Sequence, residues 1–62
     1  MTRAELQQAI ADTLTEIEQA REQLEAVADP REELRLTRRK KELQVRQLWN
    51  LDQLEALKKA GE

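Results

Sequence analysis

A chain of 62 residues with 13 acidic and 11 basic side chains has a net charge of −2 and contains no His, Cys, Ser, Tyr or Phe. That vocabulary excludes disulfides, His/Cys zinc sites, serine and cysteine nucleophiles and histidine acid–base chemistry, and the length allows a single domain. Neither enzymatic activity nor a cofactor is expected, and a core this small, supplying roughly 3 to 5 kcal/mol, needs a supplement that oligomerisation provides most simply.

The composition favours helix throughout, with ten Leu, eight Ala and seven Gln against one Gly and one Pro. Thr2-Arg3-Ala4-Glu5 has the form of a capping box, so helix 1 is predicted over residues 3–27. Asp29-Pro30-Arg31-Glu32 repeats the device: Asp29 is the N-cap, Pro30 takes the first helical position where a missing N–H costs nothing, and Glu32 follows three residues after the cap. The turn is thus predicted at 28–29 and helix 2 at 30–60, with Lys58 and Lys59 at the negative end of its dipole and Gly61 available as a left-handed C′ residue. So short a connection forces the helices antiparallel. The expected fold is all-α, an antiparallel, coiled-coil-like hairpin over 1–62 that dimerises into a four-helix bundle. Every boundary carries a signal, which suggests a complete protein. No stretch approaches the 18 or so apolar residues of a membrane span, and the start lacks the basic-then-apolar layout of a signal peptide, so a cytoplasmic protein without membrane contact is the default expectation.

Helix 1 carries one apolar stripe at spacings of three and four: Leu6, Ala9, Ile10, Leu14, Ile17, Ala20, Leu24 and Val27. Helix 2 carries two rows on opposite sides. Leu34, Val45 and Leu48 form one, flanked by Trp49 and interrupted by Thr37, Lys41 and Asp52; Leu36, Leu43, Leu54 and Leu57 form the other, flanked by Leu51. Helix 1 can cover only one of them, so helix 2 is placed at the centre of an oligomer. The second row follows a heptad through Leu36, Leu43, Asn50 and Leu57, and an Asn there can pair with its symmetry mate to fix register and oligomer number. The expected intra-hairpin core is therefore Leu6, Ile10, Leu14, Ile17, Leu24, Val27, Leu34, Val45 and Leu48. The expected contact between chains is Leu36, Leu43, Trp49, Asn50, Leu51, Leu54 and Leu57, although the register partly supports either row facing helix 1.

Charge is divided between the helices: residues 1–29 hold two basic and seven acidic side chains, residues 30–62 nine and six. Folding back near residue 28 sets positions whose numbers add to 57 or 58 side by side, pairing Glu16 with Lys41, Glu18 with Arg39 or Lys40, and Glu22 with Arg35. The basic run Arg35, Arg38, Arg39, Lys40 and Lys41 is also a candidate phosphate-contacting face. Acidic partners on helix 1, the overall negative charge and the absence of interleaved aromatics argue against a nucleic-acid partner.

In length and hairpin plan the chain resembles the repressor-of-primer family of plasmids, whose two-helix chains dimerise into four-helix bundles. The resemblance is architectural, carries over no RNA-binding residue, and is shared in shape by hairpin chaperones of secretion systems and small bacteriophage proteins. The function expected is non-enzymatic: assembly or adaptor binding by a homodimer, with a tetramer as the larger alternative. A chaperone or inhibitor gripping another protein's helix is the second expectation, and a nucleic-acid-binding regulator the third.

Overall fold

A computed structural model describes residues 1–61, of which two helices take up 92%. Helix α1 runs Arg3–Ala26 and helix α2 runs Pro30–Gly61, lying against each other in a rod of 48 × 14 × 14 Å. Both starts follow from local chemistry. The Thr2 backbone N–H donates to Glu5 Oε1 at 2.9 Å and the Glu5 N–H donates to Thr2 Oγ1 at 3.2 Å, closing the capping box. At the second start the Arg31 N–H donates to Asp29 Oδ1 at 2.9 Å, while the Glu32 carboxylate is engaged by Arg35 one turn on and does not complete a box. Val27 leaves the helix in extended backbone, φ −78° and ψ 137°, which ends α1 before the connection. Gly61 continues α2 with no positive φ, so the left-handed cap expected there is absent.

The seam between the helices is a heptad on both sides. On α1 it is Leu6, Ile10, Thr13, Ile17, Ala20, Leu24 and Val27, with Leu6, Thr13 and Ala20 fully buried. On α2 it is Leu36, Lys40, Leu43, Gln47, Asn50 and Leu54, with Leu36, Leu43 and Asn50 fully buried and Leu43 only 1% exposed. Spacings alternate between three and four on each helix, the condition for continuous side-by-side packing.

This arrangement corrects the assignment of the two rows of α2. Leu36, Leu43, Asn50 and Leu54, expected between chains, lie inside the hairpin; Leu34, Val45 and Leu48, expected inside, are exposed, as is Leu14 on α1. The reason lies in what each row would have to desolvate. The Leu34 row is broken by Arg38, Lys41, Asp52 and Glu55, four charges that the thin interior of a hairpin could not accommodate. The Leu36 row is broken by one charge, Lys40, which is half-buried and lines a shallow recess with Arg21, Leu24 and Glu25, so its ammonium can stay in water.

Polar side chains set the register. Gln47 Nε2 donates to the Ile10 carbonyl at 2.9 Å, and Asn50 Nδ2 reaches Thr13 Oγ1 at 3.5 Å and Gln47 Oε1 at 3.4 Å. The facing numbers add to 57 for Gln47 with Ile10 and to 63 for Asn50 with Thr13, centred on 60 and not on the 57 or 58 expected from charge. The ion pairs change accordingly: Glu16 meets Arg39 at 3.5 Å and Arg46 at 4.0 Å, not Lys41, while Arg35 turns to Glu32 within its own helix, not to Glu22. Asn50 is buried against Thr13 and Gln47 of its own chain.

Candidate functional site: the outward face of α2

With the seam assigned, the surface that remains unusual is the side of α2 turned away from α1. Val45 is 66% exposed, Leu48 65%, Trp49 54% and Leu34 53%. Val45, Leu48 and Trp49 are spaced i, i+3 and i+4, which stacks them on one turn. Leu51 and Leu14 extend the patch along one flank: each follows a fully buried seam residue, Asn50 and Thr13, and in an antiparallel pair such positions share a side. The opposite flank is the polar one, where Glu16 bridges Arg39 and Arg46.

The chain has more surface than its mass calls for. Its accessible area is 4966 Å², against about 4,200 Å² for a compact monomer of 7.3 kDa. The excess of roughly 800 Å² follows from the extended shape, a rod of 48 × 14 × 14 Å that leaves one whole side of each helix in solvent.

The basic run is dispersed by the fold. Lys40 is half-buried in the seam, Arg39 is paired with Glu16 and Arg35 with Glu32, leaving Arg38 and Lys41 on the outward face with no ion pair among the described residues. Arg38 also lines, with Arg31, Arg35, Arg39, Leu34 and Glu42, a shallow recess of about 350 Å³. Sequence reasoning did not single out Arg31; its helical spacing to Arg35 and Arg38 was the available signal. The Arg35 guanidinium holds the Glu32 carboxyl below its ordinary range and is itself raised by it, while the Thr2 amide and then its hydroxyl lower Glu5.

Among the described residues there is no group of three or more acidic, His or Cys side chains placed to hold a metal, and no helix is long and apolar enough to cross a membrane. The recesses along the rod are shallow surface grooves open to solvent. Compared with protein-family models, curated proteins and solved structures, the chain matches none.

Proposed function

We propose that this hairpin is a non-catalytic assembly or adaptor module that pairs with a second copy of itself through the outward face of α2. The observation that carries the reading is the exposure of Val45, Leu48 and Trp49 on one turn of an otherwise charged helix. A contiguous apolar patch of this kind on a soluble monomer marks a protein-binding surface, and Trp is the residue type that most often anchors one. The thin seam argues in the same direction. Among the described residues the fully buried apolar side chains are Leu6, Ala20, Leu36 and Leu43, a core small enough that a partner would add to its stability.

Light scattering coupled to size exclusion tests this across a hundredfold concentration range. The expected mass is twice the 7.3 kDa of the chain. Val45→Glu and Leu48→Glu are expected to halve it, while Gln19→Glu on the exposed side of α1 leaves it unchanged. A monomer at every concentration would overturn self-association and leave the face to another protein's helix. The arginine-lined recess supports a weaker second reading, a phosphate-bearing partner, whose mark would be salt-sensitive retention on a nucleic-acid column.

A further inference from the structure

The charges that interrupt the outward row follow the same heptad as its apolar residues. Arg38, Lys41, Val45, Leu48, Asp52 and Glu55 are spaced three, four, three, four and three, a second seam on the side of α2 away from α1. All six are exposed. Arg38, Lys41 and Asp52 have no ion-pair partner among the described residues, and Glu55 has only a 3.7 Å contact with Lys59 on the same exposed surface. Basic side chains precede the apolar pair and acidic ones follow it.

Resting on the self-association reading, we infer that the second copy docks antiparallel, with Val45 of one chain against Leu48 of the other. Under that two-fold operation Lys41 meets the partner copy at Asp52 and Arg38 meets it at Glu55, each twice, so two apolar layers are bracketed by four ion pairs. Trp49 and Leu51 cover the two flanks. A parallel pairing would oppose Arg38 to Arg38, Lys41 to Lys41, Asp52 to Asp52 and Glu55 to Glu55, four like-charge contacts that select against it. The two seams of α2 lie about 150° apart at 100° per residue, so the hairpins form a nearly flat layer of four helices with the α2 pair in the middle, not a square bundle.

Charge reversal on one side of the apolar pair tests the orientation. The acidic variant Arg38→Glu with Lys41→Glu and the basic variant Asp52→Lys with Glu55→Lys should each lose self-association by about a hundredfold, since every bracketing pair becomes repulsive. Mixed one to one, they should form a heterodimer. Because the chain has no cysteine, disulfide trapping gives a second readout independent of the variants' stability. Lys41→Cys and Asp52→Cys chains should cross-link to each other and neither to itself. A wild-type dimer in which like cysteines cross-link, or whose charge variants still form homodimers, overturns the antiparallel pairing while self-association stands. A monomeric wild type overturns both.

Discussion

Replacing Asn50 with Leu is expected to stabilise the hairpin. Asn50 is 4% exposed, and its two side-chain contacts, 3.5 Å to Thr13 Oγ1 and 3.4 Å to Gln47 Oε1, are both longer than a good N–H···O bond. Each therefore contributes less than the usual 1 kcal/mol or so. Thr13 would not be stranded, because a helical threonine can donate to the carbonyl four residues back, as Thr15 does to Ala11 and Thr37 to Glu33. Gln47 keeps its bond to the Ile10 carbonyl. Against these losses, a buried leucine gains about 1.5 to 3 kcal/mol. The net is about 1 kcal/mol, or a rise in Tm of about 4 to 8 °C for a domain of this size, read by circular dichroism at one fixed protein concentration. The molar mass should not change, because Asn50 faces its own α1. A lower Tm would refute the view that this polar layer is weak, and a changed oligomer number would return Asn50 to the contact between chains.

Leu43→Ala should cost about 2 to 4 kcal/mol and leave the chain largely unfolded in a urea titration, since Leu43 is the most buried side chain and the hairpin has little stability to lose. Leu34→Ala on the exposed row should cost under about 0.5 kcal/mol in the same titration, and equal losses would reverse the assignment of the rows. Acidification should reduce helicity from the helix starts. Glu5 and Glu32 have folded pKa values below their unfolded ones, so their contribution is present above the ordinary carboxylate range and disappears as pH falls through the lowered values. Circular dichroism should therefore hold steady from neutral pH down to about 5 and decline below about 4, with Thr2→Ala weakening the first helix by about 1 kcal/mol and blunting the Glu5 part of the decline.

Helix boundaries were legible because their causes are local: a hydroxyl, a carboxylate and a proline within four residues. The existence of two rows on α2 was legible from spacing alone. Which row turns inward was not, because counting large apolar residues gives the two rows nearly equal weight and places Leu14, now exposed, on the α1 stripe. The deciding position on α1 is Thr13, a polar residue that such a count passes over but that, with Ala20 already on the stripe, completes the unbroken heptad from Leu6 to Val27. Charge pairing misled the register for a different reason. Exposed ion pairs contribute only about 0 to 1 kcal/mol, and arginine is long enough for Glu16 to reach both Arg39 and Arg46, two full turns apart. Such contacts follow the register that Gln47, Asn50 and the buried leucines set; they do not choose it.

In the proposed assembly, the distribution of polarity between the two faces of α2 links folding to association. A seam that spends three of its α2 positions on Lys40, Gln47 and Asn50 specifies alignment at the expense of buried apolar area, while Val45, Leu48 and Trp49 stand in water on the other side. Exchanging the two sets would give a tighter hairpin with no reason to associate. On the proposed reading, whatever covers the outward face adds stability to a hairpin with a small buried core by mass action, more as concentration rises. The charged brackets around Val45 and Leu48 then limit what can cover it, since a partner helix must present acidic and basic turns in the opposite order. A second copy running antiparallel satisfies that condition from the chain's own sequence.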